Sequence, residues 1–196
     1  PTASFRYSPN NSKNMKNSDV RIDTNNIFSL NRLGTSIEGG SSITYGIQYA
    51  KTDKTDNDII SASIASIFRP NPDKNLPVKG ALNDKNSDVV GLINFNPNEY
   101  LDMSYDFSLD NNLSDKNYEM IKSEIKINNF VSTFEYLNEN NLADNKNQSY
   151  LLNTSKISND DDSKSLSFST RENKTTNVTE FYNLMYQYRN DCLIAG

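Results

Sequence analysis

The sequence predicts an all-β, antiparallel transmembrane barrel of the outer-membrane type, present here as a partial barrel of about ten to twelve strands. Three observations lead there: apolar and polar residues alternate with period two, the composition suits sheets greasy on one side only, and the connections alternate in length. Hydrophobic residues are 35% of the 196 and mean hydropathy is −0.74, too little for a thick two-layer core. Yet 11 Tyr and 9 Phe leave much to bury, which argues against a disordered chain. No apolar run approaches the roughly 18 to 20 residues of a membrane helix. A barrel needs none, since its strands carry only alternating apolarity.

The elements follow in chain order. Ser42 to Thr52 places Ile43, Tyr45, Ile47 and Tyr49 on one face and Ser42, Thr44, Gly46 and Gln48 on the other, the signature of a strand with one greasy and one wet side. From Asp58 to Arg69 the faces are less clean, with Ile60, Ala62, Ile64 and Phe68 the expected outward set. Ser87 to Phe95 offers Val89, Gly91, Ile93 and Phe95. The clearest run is Tyr100 to Asp110, where Leu101, Met103, Tyr105, Phe107 and Leu109 alternate with Asp102, Ser104, Asp106, Ser108 and Asp110. A helix would scatter these residues around its circumference. Lys122 to Ile127 alternates charge with Ile, Phe130 to Leu137 gathers Phe130, Phe134 and Tyr136, and Ser165 to Thr170 alternates Ser with Leu166 and Phe168. Val178 to Arg189 closes the series with Tyr182, Leu184, Tyr186 and Tyr188.

These parities assign sides. The expected lipid-facing set is Ile43, Tyr45, Ile47, Tyr49, Leu101, Met103, Tyr105, Phe107, Leu109, Leu184 and Tyr186; the expected lumen-facing set is Thr44, Gln48, Asp102, Ser104, Asp106 and Ser108. Asn96-Pro97-Asn98 and Asn128-Asn129 are expected as tight turns, whereas Pro70 to Asn86, Asn111 to Lys116, Asn138 to Asn147 and Asn159 to Asp162 are expected as longer loops. Short turns on the periplasmic side and long loops outside is the barrel arrangement. Tyr100, Tyr118, Tyr136, Tyr150 and Tyr188, near run ends, suit a headgroup girdle, although Tyr is also simply a good strand former.

Chemistry is thin. The chain has no His, which removes the commonest general base and zinc ligand. There is no Gly-rich phosphate loop, and Glu38-Gly39-Gly40 reads as a turn. Asp160-Asp161-Asp162, like Asp53, Asp56 and Asp58, lacks the calcium-loop spacing and reads as solvated charge. Asp102 and Asp106 are explained by alternation without a glycosidase pair. The Asn-x-Ser/Thr triplets at Asn10, Asn112, Asn147, Asn153, Asn173 and Asn177 are expected by chance in so Asn-rich a chain. Catalysis and cofactors are therefore not expected. The net charge of −5 also argues against nucleic acid. Cys192, the single cysteine, pairs with a partner outside these residues, is a free thiol, or is buried and inert. The start is expected to lie after any export signal.

Several blocks resemble a known family in order: Arg6-Tyr7-Ser8-Pro9-Asn10, Asn26 to Gly34, Glu38-Gly39-Gly40 with Ser42 to Tyr49, Ser87 to Gly91 with Asn96-Pro97-Asn98 and Leu101-Asp102, and Tyr186 to Cys192. They are similar to the barrel of the lipopolysaccharide-assembly family LptD. The resemblance implies a translocon component that inserts lipopolysaccharide into the outer leaflet of the bacterial outer membrane. It also implies a periplasmic jelly-roll that receives the lipid, the plug lipoprotein LptE and periplasmic Lpt bridge proteins. Residues 1–196 would then be one piece of the barrel domain, from its C-terminal part, with the jelly-roll and the closing strands not in this chain. By the same resemblance Cys192 would bond to a cysteine before the jelly-roll; Leu193 follows it, where many members have a second cysteine. Another outer-membrane barrel, a porin or receptor, and a soluble β-sandwich or adhesin domain are the competing readings.

Overall fold

The computed structural model describes residues 1–34, 36–141, 146–189 and 194–195. Its strands form one antiparallel meander: β1 (Thr2–Ser8), β2 (Gly40–Thr52), β3 (Asp58–Phe68), β4 (Val89–Asn98), β5 (Leu101–Leu109), β6 (Lys116–Ile127), β7 (Phe130–Asn141), β8 (Lys146–Ser158), β9 (Lys164–Asn173), β10 (Val178–Arg189) and the two-residue β11 (Ile194–Ala195). Each strand pairs with its neighbours in sequence, so the order in the sheet is β1 to β11 and the sheet is open. From β2 to β10 the strands are 9 to 13 residues long, the length of a tilted crossing of a bilayer.

Register turns the alternation of each strand into two continuous faces. On one face Phe5 lies opposite Ile43, Tyr45 opposite Ser66, Ile47 opposite Ile64, and Ile64 opposite Gly91. That row continues from Gly91 to Phe107, while Ile93 pairs with Tyr105, Tyr105 with Ile121 and Ile121 with Tyr136. Farther on, Leu166 and Phe168 meet Tyr186 and Leu184. This face is bare: Ile47 is 61% exposed, Phe5 70% and Leu184 69%. Small residues on it are filled from the side, since a Cβ on Gly91 would run into the Phe107 ring.

The opposite face is covered at one end of the sheet. The connections 9–39 and 69–88, both at the same end of the meander, fold back onto β1 to β5 and bury Ile22, Ile27, Leu33, Leu76 and Leu82 against Ala65, Ile67 and Val90. The two segments also bond to each other, Met15 N donating to Asn75 O at 2.6 Å and Val78 N to Lys16 O at 3.2 Å. This insert explains the blurred faces of β3: Ala65 and Ile67 are apolar on the otherwise polar side because the insert, not water, lies over them.

Several sequence expectations change here. Asn96-Pro97-Asn98 ends β4, and the turn itself is Glu99-Tyr100, where Tyr100 N donates to Asn98 Oδ1 at 2.9 Å. Asn138 to Asn141 belong to β7, and Lys146 and Asn147 to β8, so most of that expected loop is strand. Residues 159–163 lie at the same end as 128–129, among the short connections. Among the described residues only two connections, 9–39 and 69–88, are truly long. β1 and β8 are strands that the run of alternating segments did not include. Tyr118 and Tyr150 leave the expected girdle: their partners Ser108 and Leu137 put them on the covered face, where Arg21 lies over the Tyr118 ring and Tyr150 bonds to Glu135.

Candidate functional site: the ionic wall of the covered face

The covered face carries most of the protein's organised polar chemistry, in three groups. The deepest is built on Glu38, 1% exposed. Arg32 grips its carboxylate with Nε on Oε2 and Nη2 on Oε1, both at 2.6 Å. Arg6 of β1 donates Nη1 to Oε2 at 2.6 Å, and Arg69, just past β3, bonds to Oε1. Arg32 also donates to Thr44 Oγ1 at 2.9 Å, Ser42 Oγ at 2.7 Å and Ile27 O at 3.2 Å. Its planar fork is thereby saturated, which is how a guanidinium is held inside a protein. Burial alone would push the Glu38 carboxyl up, but the hydrogen bond and charge of Arg32, then the charges of Arg69 and Arg6, overcome it and hold the group below its ordinary value.

The local chain is shaped to bring Glu38 there. Gly39 passes so close to the backbone of Asn10 and Ser12 that a Cβ would collide, and Gly39 N donates to Ser12 Oγ at 2.8 Å. Glu38-Gly39 is thus not a solvent turn but the strap that delivers a carboxylate to three arginines.

The second group ties the insert to the middle strands. Arg21 Nη2 meets Asp106 Oδ2 at 3.2 Å, with the guanidinium carbon 3.3 Å from the Tyr118 ring centroid. Lys79 Nζ lies 2.7 Å from Glu139 Oε1. At the root of β4, Asp88 Oδ2 accepts from Ser108 Oγ at 3.0 Å and Asn117 Nδ2 at 2.8 Å. The third group lies beyond the insert, where Lys122 meets Glu135 at 3.2 Å, Tyr150 Oη donates to Glu135 Oε1 at 2.6 Å, and Arg171 stacks over Tyr150 at 4.1 Å. Here Asp102, Ser104, Lys122, Glu124, Thr133 and Glu135 line an open polar recess of about 390 Å³.

The residues singled out from sequence fall as follows. Thr44, Asp106 and Ser108 lie in the first two groups, Asp102 and Ser104 in the recess, and Gln48 on the same face but exposed beyond the insert. Ile43, Tyr45, Ile47, Tyr49, Leu101, Met103, Tyr105, Phe107, Leu109, Leu184 and Tyr186 share the bare face by register. Cys192 lies outside the described residues. The turn acids cap backbone: Asp53 Oδ1 accepts from Thr55 N at 2.7 Å and Asn57 N at 3.0 Å, and Asp161 Oδ1 from Ser163 N at 3.0 Å. Among the described residues no group of three His, Cys, Asp or Glu is placed to hold a metal ion.

Sequence reasoning missed Glu38, Arg6, Arg32 and Arg69 as a unit. A usable signal was present: only six of the 20 basic residues are Arg, and Arg is the cation suited to buried, multiply bonded sites.

In comparison with known proteins, the family model LptD, "LPS transport system D", matches residues 1–188. No curated protein matches the chain.

Proposed function

The chain belongs to the LptD family, its model matching nearly the whole length, and from that premise we propose that the chain is barrel wall in the translocon that delivers lipopolysaccharide to the outer leaflet of the outer membrane. LptD is a family of envelope transport and assembly, not of catalysis. The observation that carries the reading is the division of one sheet into a bare apolar face and a polar, ion-paired face. A soluble sandwich would cover the first with a second sheet, and among the described residues none does so.

In this reading the bare face meets lipid. Ile43, Tyr45, Ile47 and Tyr49 of β2, Leu101 to Leu109 of β5, and Leu184 and Tyr186 of β10 contact acyl chains, while Thr44, Gln48, Asp102, Ser104, Asp106 and Ser108 line an aqueous lumen. Among the described residues the outer side of β1 has no ladder partner, which hydrocarbon does not tolerate, so in this reading further strands close the barrel in the membrane. A jelly-roll, the plug lipoprotein LptE and the periplasmic Lpt bridge proteins complete the path, and Cys192 forms a disulfide with a cysteine outside these residues.

Depleting the full-length protein from cells should lower surface-exposed lipopolysaccharide while other outer-membrane barrels persist; unchanged surface lipopolysaccharide would overturn the assignment. For the disulfide, the full-length protein should change mobility between reducing and non-reducing gels, and Cys192→Ser should abolish the change. Identical behaviour of the two proteins would remove that bond from the proposal.

A further inference from the structure

The insert is fastened very unevenly. Residues 15–33 and 73–85 form one body, bonded to each other through Met15 and Val78 and sharing the Ile22, Ile27, Leu33, Leu76 and Leu82 cluster. On the β1 to β4 side it is held by that cluster against Ala65, Ile67 and Val90 and by the Glu38 junction, whose Arg32, Arg69 and Glu38 side chains are 2%, 3% and 1% exposed. At the root of β4 the buried Asp88 accepts from Ser108 and Asn117 and belongs to the fixed edge; beyond it, on the β5 to β7 side, the insert is held by two ion pairs, Arg21 with Asp106 and Lys79 with Glu139, whose side chains are 13 to 25% exposed. Where these pairs meet, Arg21, Lys79, Asn117 and Tyr118 close a crevice with only about 10 Å³ of free space. Just past it the polar recess of the third group opens.

We propose that the insert is a hinged flap: its Glu38 side is the fixed edge, and Arg21 and Lys79 are a latch whose release uncovers β5 to β7 and joins the covered strip to the recess beyond. The asymmetry follows from the surroundings of the two edges. A water-reached ion pair is held loosely and is weakened by salt, whereas the Glu38 junction cannot lose a partner without stranding buried charge. Opening therefore occurs at the latch. Local openings of this kind lie at the low-stability end of a native structure's motions and are read by amide exchange. The idea takes the covered face to be a lumen wall, but its test does not depend on transport.

The test is hydrogen exchange on the full-length protein in detergent micelles, comparing wild type with Arg21→Gln/Lys79→Gln, which leaves every strand untouched, and with the charge exchange Arg21→Asp/Asp106→Arg. In the first variant amides of 15–33 and 73–85 should exchange roughly tenfold faster, with β2 and β3 unchanged; high salt should mimic it in the wild type. The charge exchange should recover much of the protection. Unchanged exchange in the Gln variant would overturn the latch. Loss spreading equally through β1 to β3 would overturn the hinge, because the insert would then open only as a whole. Either result would leave the role in lipopolysaccharide delivery standing, since that role is read from surface lipopolysaccharide.

Discussion

Glu38 concentrates at one residue what separates this wall from a plain alternating sheet. Three guanidiniums converge on a carboxylate that water does not reach, and removing one partner of a buried ion pair typically costs about 3 to 5 kcal/mol. Glu38→Gln should therefore lower the stability of the folded protein by about that amount, read as a lower midpoint for loss of the compact form on denaturant titration. The pH dependence has a definite sign. A carboxyl whose folded pKa is depressed stabilises the fold above its unfolded value and loses that contribution as pH falls through the folded one. The wild-type midpoint should then begin to fall only below the ordinary Glu value of 4.5, and Glu38→Gln should flatten that limb; parallel profiles would show that Glu38 is not the group titrating. Gly39→Ala should resemble Glu38→Gln in stability yet keep the pH limb, since it displaces the strap against Asn10 and Ser12 without removing the acid. None of this was legible from Glu38-Gly39-Gly40 alone. The tripeptide has the composition of a turn, and only the fold brings Arg6 and Arg69, each more than thirty residues distant, to the same carboxylate.

Among the elements, legibility tracked the contrast between faces. β5 could be read residue by residue because every odd position is apolar and every even one polar. β8 carries Tyr150, Leu151 and Leu152 in succession and then Asn, Thr and Ser on both sides, so period two has no contrast to show. β3 was half legible because Ala65 and Ile67 answer to the insert rather than to water. The insert itself has no periodicity at all; its apolar residues are fixed by contacts between segments far apart in sequence. One hairpin carries visible strain. Leu113, in the β5–β6 connection, has φ +60 and is 61% exposed, a conformation that costs an L-residue with a Cβ about 1 to 2 kcal/mol. Leu113→Gly should raise stability by about 1 kcal/mol, seen as a higher denaturation midpoint; a lower one would mean that the leucine side chain contributes more than its backbone costs.

For the whole molecule, the two-faced sheet makes neighbouring residues respond oppositely to the same charge. Tyr105→Arg places a cation on the bare face and, with that face against lipid as proposed, should destabilise the protein by about 2 to 4 kcal/mol near mid-bilayer. Asp102→Arg, on the covered face opposite Glu124, should be nearly neutral. Titrating refolding into vesicles would rank them, and the reverse order would mean that the faces are inverted. The Glu38 junction also bears on the order of assembly. Its four charged groups come from β1, from the connection behind it and from the exit of β3, and none can be enclosed singly without stranding charge. The junction therefore closes in one event, when β1, the connection behind it and the exit of β3 are all in place.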